Sequence, residues 1–247
     1  MIEMFEDLEE LSRAAAQLFS EVARQSVASR GRFSVLVSGG ETPRRTYELL
    51  SKEPHLSGLP WDRMHIFFGD ERCVPAGDPR SNALMLQHAL LDRVPLAKQQ
   101  VHPIRCESDP QAAATEYENE LREYFAGVQP EFDLVLLGLG DDGHTASLFP
   151  GSPALNELEH WTAVARKQGE EIMRVTLTPP LLNQAGLVLF LVAGPDKARI
   201  LKELLEGPFN PHLLPAQLIR PLSGKLRWFA DRSAAALLSG ATIRSRS

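Results

Sequence analysis

Apolar positions along the chain follow two different spacings. Between residues 5 and 29 they recur every three or four positions, from Leu8 to Val22, which predicts an amphipathic helix packed on something larger. Elsewhere they form short unbroken runs, and runs of this length are typical of strands buried on both faces of a sheet. These runs are residues 33–38, 64–68, 132–137 and 187–193.

The remaining segments complete an alternation of strands and helices. Predicted helices begin at Thr42 and cover residues 82–91, 110–125, 179–184, 196–205 and 231–238. Further strands are predicted at residues 101–104, 161–166, 171–177 and 226–229. This alternation predicts an α/β fold with a mostly parallel, doubly wound sheet flanked by helices on both faces. No repeat or long linker divides residues 1–247, so we expect one domain, with a frayed tail at 242–247.

Composition limits the classes of function. The chain is 43% hydrophobic and 23% charged, which is ordinary for a globular protein. Its formal net charge of −6 weighs against a nucleic-acid or anionic-membrane partner, since both require a basic face, but a small anion responds only to a local patch. The acidic amino terminus is unlike a signal peptide, and no apolar run approaches the roughly 20 residues of a membrane span. We therefore expect a cytoplasmic protein without a nucleic-acid or membrane partner.

The chain has two cysteines, Cys73 and Cys106, which lie far apart and are not spaced as a metal-binding pair. Two cysteines in a chain of this size exclude a disulfide scaffold, so we expect a reducing compartment. Since no cluster of His, Cys and Asp has the ligand spacing of a zinc site either, no metal is expected.

Ligands of open α/β sheets bind outside the carboxyl ends of the strands, so the loops there hold the candidate chemistry. The first is Ser38-Gly39-Gly40-Glu41-Thr42-Pro43. Its two glycines let the backbone approach a ligand, and the helix that follows offers free N–H groups and its positive dipole end. The loop predicts a phosphate site, although the Gly-Lys-Ser/Thr ending of a P-loop is absent. The alternative is a plain strand-to-helix turn.

The second loop, Gly69-Asp70-Glu71-Arg72, is followed by Arg80-Ser81-Asn82. Adjacent carboxylates and an arginine at a strand end indicate a site, the alternative being a solvated ion-pair cluster. The planar guanidinium of Arg72 suits a phosphate or a carboxylate. Lys197 lies in the first turn of a predicted helix, where a cation opposes the dipole unless a ligand anion pairs with it. Arg174, within a predicted strand, faces either that ligand or solvent.

The third loop is Gly138-Leu139-Gly140-Asp141-Asp142-Gly143-His144. Its glycines match the dinucleotide pattern G-x-G-x-x-G, but Asp141 and Asp142 would repel a pyrophosphate and the loop lies outside the first strand–helix unit. A histidine at a strand end beside carboxylates is instead a candidate general base, because imidazole titrates near the working pH.

Together these loops resemble the 6-phosphogluconolactonase family. The resemblance implies a NagB/RpiA/CoA-transferase-like fold and hydrolysis of 6-phospho-D-glucono-1,5-lactone to 6-phosphogluconate, the second step of the oxidative pentose phosphate pathway. It also implies no metal, no organic cofactor and a functional link to glucose-6-phosphate dehydrogenase. Glu41 stands where many relatives carry Ser. The matching segments, in the family's order, are residues 38–43, Trp61, 69–72, 81–82, 132–150, 174–178, Gly194 and Lys197.

In such a mechanism His144 is the general base that takes a proton from water, and Asp141 or Glu71 holds the imidazolium that forms. Arg72, or backbone N–H groups near residues 143–145, would stabilise the tetrahedral oxyanion. The side chains and amides expected to clamp the 6-phosphate belong to Ser38, Gly39, Gly40, Thr42, Arg174 and Lys197.

Other functions stay open. A glucosamine-6-phosphate deaminase or related isomerase shares the Ser-Gly-Gly loop and the glycine–histidine turn. Its members typically continue into an Asn-Glu-Pro segment with a catalytic Glu, where this chain has Leu148-Phe149-Pro150, and they favour Tyr at the position of Arg72. A non-catalytic sugar-phosphate sensor would need a DNA-binding module, and none precedes Phe33. An NAD-dependent oxidoreductase would rest on the glycine spacing alone.

Overall fold

The computed structural model describes residues 2–244, with side chains to Thr242. Within these residues no helix is both long and apolar enough to cross a membrane. The strands are β1 (Ile2–Phe5), β2 (Phe33–Val37), β3 (Met64–Phe68), β4 (Asp70–Arg72), β5 (Val101–His102), β6 (Leu134–Gly138), β7 (Thr162–Arg166), β8 (Met173–Leu177), β9 (Leu187–Val192), β10 (Lys225–Asp231) and β11 (Ile243–Arg244). The helices are α1 (Leu8–Arg30), α2 (Glu41–Leu50), α3 (His55–Gly58), α4 (Asn82–Ala89), α5 (Pro110–Tyr124), α6 (Pro179–Leu182) and α7 (Ala198–Glu206).

A large parallel sheet holds eight of these strands in the order β11-β1-β10-β9-β6-β2-β3-β5. Strands β2 and β9 are buried along their whole length, as their unbroken apolar runs predict. Helices flank the sheet, and α1 packs Phe19 edge-on against Phe33 of β2 with ring centroids 5.2 Å apart. The prediction of a mostly parallel sheet flanked by helices is confirmed.

The parallel order of the sheet brings the three candidate loops together. Strands β9, β6, β2 and β3 are neighbours and run in the same direction, so their carboxyl ends lie at one edge. The loops that follow them carry Lys197, the His144 turn, the Ser38 loop and Asp70 in turn. Chemistry that is dispersed along the sequence therefore converges at this edge.

A second, smaller sheet stands beside that edge. The strands predicted at 161–166 and 171–177 are β7 and β8, but they pair antiparallel with each other and with β4 instead of extending the parallel sheet. The sequence does not predict strand β4, because its three polar residues carry no apolar alternation. Its pairing places Arg72 opposite Arg174.

The amino terminus differs from the prediction. Residues 2–5 form β1, which pairs with β10 and β11, and the helix expected from residue 5 begins at Leu8. Asp7 sets that boundary, since its side chain caps α1 by accepting a hydrogen bond of 2.8 Å from the Glu10 amide.

The carboxyl terminus also differs. The helix predicted at 231–238 is wrong, since turns follow β10 there. The Asp231 carboxylate accepts hydrogen bonds from the Ser233 hydroxyl at 2.8 Å and from the Ala234 amide at 2.7 Å, which favours a turn over a helix. The tail expected to fray contains β11 at 243–244, and residues 245–247 lie outside the described residues.

Cys73 and Cys106 are joined by a disulfide, a bridge that the sequence does not predict. It ties the residue after β4 to the loop before α5, with Cα atoms 4.8 Å apart. The two cysteines are 33 residues apart, and the tertiary fold brings them together, so their spacing in the sequence does not predict the pairing.

Candidate active site

The loops at the carboxyl ends of the central strands enclose a cavity of about 410 Å³. Of the predicted site residues, Glu71 and Asp141 do not line it. Those that do are Ser38, Gly39, Gly40, Thr42, Arg72, His144, Arg174 and Lys197. The same cavity is lined by Asp70, Asn82 and Asp196 and by residues 138–140, 145–146 and 191–193.

His144 lines the cavity, and one of its two ring nitrogens is bonded within the chain. Its Nδ1 is hydrogen-bonded to Oδ1 of Asp142, which also accepts a bond of 3.0 Å from the His144 amide. Its Nε2 has no hydrogen-bond partner among the described residues. A carboxylate at Nδ1 keeps the proton of neutral imidazole on that nitrogen, so the lone pair lies on Nε2. The ring can therefore accept a proton from a bound molecule.

Asp142 is held as a carboxylate by the same contact. Partial burial acts to raise its pKa, but the hydrogen bonds and the charge of His144 outweigh burial and lower the pKa to about 2. Lys167, whose Nζ lies 4.0 Å from Asp142 Oδ2, lowers it further. Asp142 is thus charged at neutral pH and suited to stabilise an imidazolium.

A glycine at position 140 makes room for the imidazole. A Cβ on Gly140 would lie 2.0 Å from His144 Nδ1, so any side chain there would displace the ring. The Gly140 amide donates a hydrogen bond of 2.8 Å to the His144 carbonyl, which closes the turn. The glycine spacing that suggests a dinucleotide site therefore serves to present the histidine.

The Ser38–Thr42 loop has the features of an anion site. Among the described residues no side chain caps α2, and the first amides of a helix lack intrahelical acceptors. Residues that carry these amides line the cavity, so an anion there would meet N–H donors and the positive end of the helix. Glu41 also lines the cavity; its side chain is 86% exposed, and its carboxylate lies 3.6 Å from the Arg44 guanidinium.

Ser38 itself ties strands together. Its hydroxyl donates a hydrogen bond of 2.7 Å to the Leu136 carbonyl of β6, and its amide donates one of 3.1 Å to the Tyr47 hydroxyl. Both donors of Ser38 are therefore engaged. An anion in this loop would depend on the amides that follow and on Thr42.

Arg72 and Arg174 form a pair of guanidinium groups from the small sheet. Arg72 donates from Nη1 to the Arg80 carbonyl at 2.5 Å, and Arg174 donates from Nη2 to Glu170 at 2.7 Å. The Nε of each is buried without a hydrogen-bond partner among the described residues. Since buried N–H groups are rarely left unpaired, the two arginines have unused capacity for an anionic ligand.

Lys197 brings a further positive charge from the loop after β9. Its Nζ lies 3.1 Å from the Asp196 carboxylate, and both residues line the cavity. Its side chain is mostly buried, whereas that of Asp196 is 65% exposed. Lys197 precedes α7 as the helix N-cap, a position that agrees with the predicted first turn and that favours a negative partner.

Glu71 does not support His144 as expected. It is buried and accepts hydrogen bonds from the Asn82 amide at 2.8 Å and the Ala83 amide at 2.7 Å. Burial raises the pKa of Glu71, against the lowering effect of these amide bonds. Its carboxylate holds the start of α4 in place, because it supplies acceptors that the first helical amides lack.

Asp141 does not contact His144 either. Its side chain is 70% exposed and lies 3.9 Å from Lys167 Nζ. The neighbour Asp142 takes the supporting position, and its signal was present in the sequence. An Asp side chain commonly accepts a hydrogen bond from the backbone amide two residues further along the chain, as Asp142 does from His144.

Asp141, Asp142 and His144 together bring potential metal-ligand atoms within 4.8 Å of one another. The sequence predicts no such group. The ammonium of Lys167 and the bond between His144 and Asp142 account for these charges within the chain itself.

Comparisons with known proteins cover nearly the whole chain. The family model described as glucosamine-6-phosphate isomerases/6-phosphogluconolactonase matches residues 6–228. A 6-phosphogluconolactonase of Synechocystis sp. is 44% identical over 214 residues, which are 85% of this chain and 86% of that protein. The human 6-phosphogluconolactonase is 39% identical over 248 residues, 97% and 94% of the two chains. The solved 6-phosphogluconolactonase of Trypanosoma cruzi is similar with a TM-score of 0.85 at 30% identity and 96% coverage of both chains.

Proposed function

The chain belongs to the glucosamine-6-phosphate isomerase/6-phosphogluconolactonase family, and from this premise we propose that it hydrolyses 6-phospho-D-glucono-1,5-lactone to 6-phosphogluconate with His144 as the general base. The named relatives support the lactone as substrate. The observation that carries the mechanism is the His144–Asp142 pair, which leaves a basic Nε2 at the cavity. Leu148 and its neighbours stand where deaminases have their catalytic Glu, which favours the lactonase.

The reaction follows from the site. A water molecule attacks the lactone carbonyl carbon while His144 Nε2 takes one of its protons, and Asp142 stabilises the imidazolium. The tetrahedral intermediate collapses by breaking the bond between this carbon and the ring oxygen. The imidazolium returns its proton to that oxygen, which becomes the 5-hydroxyl. The new carboxylic acid releases the second proton of the water to solvent and becomes the carboxylate.

The surrounding charges have two tasks. The guanidinium N–H groups of Arg72 are suited to the oxyanion, a contribution on the order of 10²–10³-fold for one donor. The Gly143 and His144 amides of the turn already donate to the Gly140 carbonyl and to Asp142. The α2 amides, with Lys197 and Arg174, are suited to the 6-phosphate and would hold the carbonyl against the water. A general base adds about 10²–10⁴-fold. A δ-lactone is already reactive, so the oxyanion donor and the general base together supply most of the rate enhancement that hydrolysis needs.

The deciding experiment is a lactonase assay. Glucose-6-phosphate dehydrogenase generates the lactone, and its disappearance is followed with and without the protein. We expect hydrolysis well above the spontaneous rate. A rate equal to the spontaneous one, or release of ammonia from glucosamine 6-phosphate in its place, would overturn the proposal.

We further infer that the protein works in the cytoplasm alongside a glucose-6-phosphate dehydrogenase. The support is chemical, since a lactone that opens spontaneously is best consumed where it is made. The Cys73–Cys106 bridge weighs the other way, because disulfides in reducing compartments are usually transient or redox-sensing. Alkylation of free thiols before cell lysis tests this inference. Cysteines that escape alkylation in most molecules, because the disulfide holds them, would contradict a reducing compartment.

A further inference from the structure

Asp70 is a buried charged residue of the site that the proposed mechanism does not use. It lines the cavity, yet only 4% of the residue is exposed. Both carboxylate oxygens accept hydrogen bonds: Oδ1 from Asn82 Nδ2 at 3.2 Å and Oδ2 from the Ser147 hydroxyl at 2.6 Å. The two donors belong to different parts of the site, so Asp70 joins them.

The first contact supports the Ser38–Thr42 loop. Asn82 Nδ2 donates a second bond, of 2.9 Å, to the Asp70 carbonyl, so the orientation of the amide group is fixed from two sides. The other end of that group packs against Gly39, where an added Cβ would lie 1.9 Å from Asn82 Oδ1. Asn82 therefore packs against the Ser38–Thr42 loop, and Asp70 fixes the orientation of the Asn82 side chain.

The second contact supports the His144 turn. Ser147 is fully buried, and its amide donates a bond of 3.1 Å to the Thr176 hydroxyl. Ala146 lies directly before Ser147 and two residues after His144. It has a φ of +48°, a left-handed conformation that is unfavourable for alanine. Such a conformation persists only where its surroundings hold it, and the bond from Ser147 to Asp70 is one of these restraints.

We propose that Asp70 is a positioning residue that fixes the phosphate loop and the His144 turn relative to each other. The loop proposed to bind the substrate's phosphate follows β2, and the base that activates water follows β6. The distance between the two must therefore match the length of the substrate. A single carboxylate bonded to the supports of both sets that separation. This inference rests on the proposed lactonase function.

The alternative role for Asp70 is that of a second base, and conservative substitution separates the two. In Asp70→Asn the amide oxygen still accepts from Asn82, and the NH₂ group can donate to the Ser147 oxygen, but no proton can be taken up. A positioning residue predicts that Asp70→Asn keeps activity within about tenfold and that Asp70→Ala loses at least 100-fold. Equal losses in the two variants would overturn the proposal. Asp62→Asn, at an exposed site, is the matched control.

A mutant cycle tests whether Asp70 couples Ser147 to Asn82. We expect Ser147→Ala to lower kcat about tenfold with little change in KM, and Asn82→Ala to raise KM with a smaller effect on kcat. In the Asp70→Ala background each effect should shrink to twofold or less, because the supports are no longer connected. If Asp70→Ala does not fold, as judged by its thermal melt, Asp70→Asn replaces it and should preserve both effects.

Two results would overturn the proposal in this cycle. One is full, additive effects of Ser147→Ala and Asn82→Ala in the Asp70→Ala background. The other is loss of these effects in folded Asp70→Asn. Because every comparison is made against an active wild-type protein, failure of the coupling leaves the lactonase function intact. An inactive wild type would instead refute the function.

Discussion

Two histidine–carboxylate contacts lie at opposite ends of the parallel sheet. At the carboxyl end His144 bonds to Asp142 and lines the cavity. Near the amino end of β3, His65 Nδ1 lies 3.0 Å from His102 Nε2, and His102 Nδ1 lies 2.6 Å from Glu120. Contact with a carboxylate is common to both regions and therefore does not by itself make a catalytic site.

The two regions differ in what their ring nitrogens face. His102 uses both nitrogens within the chain and stacks on Phe67 at 4.1 Å, whereas His144 keeps Nε2 for a ligand. Burial, together with the nearby charges of His102 and Arg32, lowers the pKa of His65 to about 4. The amino-end cluster thus holds a neutral, packed His65, whereas the carboxyl-end turn leaves Nε2 of His144 without a partner among the described residues.

Replacing the histidines tests this contrast most strongly. We expect His144→Ala to lower kcat by about 10²–10⁴-fold with little change in KM, because the general base is lost and phosphate binding is not. His65→Phe should leave kcat within about twofold. Steady-state kinetics of both variants decide the matter, and a near-normal kcat for His144→Ala would remove His144 from the mechanism.

Replacing the supporting carboxylate should have the next largest effect. In Asp142→Asn the side-chain NH₂ group can donate to Nδ1, which moves the imidazole proton to Nε2 and abolishes the base. We expect kcat to fall about 100-fold. Asp141→Asn is the matched control and should stay within about threefold. An equal fall in both variants would mean that the general negative charge of the turn matters, and not the contact.

The cations of the cavity should affect binding more than turnover. Lys197→Ala is expected to raise KM about tenfold, the loss of one charge-assisted contact, while kcat stays within about threefold. Lys202→Ala on α7, which pairs with Glu206 outside the cavity, serves as the control. A change in kcat without a change in KM would assign Lys197 to the reacting end of the substrate.

The amino-end cluster should show itself in stability. His65 stays neutral in the folded protein down to about pH 4, but in the unfolded chain it gains a proton below about pH 6.5. The unfolded state therefore binds more protons between these values, so stability is lost as pH falls through this range. Denaturant unfolding at pH 7 and pH 5 should show a loss on the order of 1 kcal/mol that His65→Phe reduces. If His65→Phe loses as much stability between pH 7 and pH 5 as the wild type does, His65 is not the source of the loss.

The parts of the site that are local in the chain can be predicted from the sequence. The Ser38 loop and His144 follow buried strands, and parallel order alone brings them together. The residues that cannot be predicted in this way depend on tertiary contacts. Choosing Asp142 over Asp141 requires the shape of the turn, and the role of Glu71 requires the position of α4.

The small sheet shows the same limit. Strand β4 has three polar residues and no apolar pattern, so only its pairing with β8 reveals it. That pairing sets Arg72 beside Arg174. The residue after β4 is Cys73, which the disulfide joins to Cys106. Local patterns carry no information about such contacts, because they arise between segments distant in the sequence.

Because position 140 is a glycine, one substitution there could separate ligand binding from catalysis. Gly140→Ala would push the imidazole out of its place while leaving the Ser38–Thr42 loop, on another strand, untouched. A single methyl group would then turn a catalyst into a receptor that holds the phosphorylated ligand without acting on it. Such a variant would make the bound state long-lived enough for crystallography.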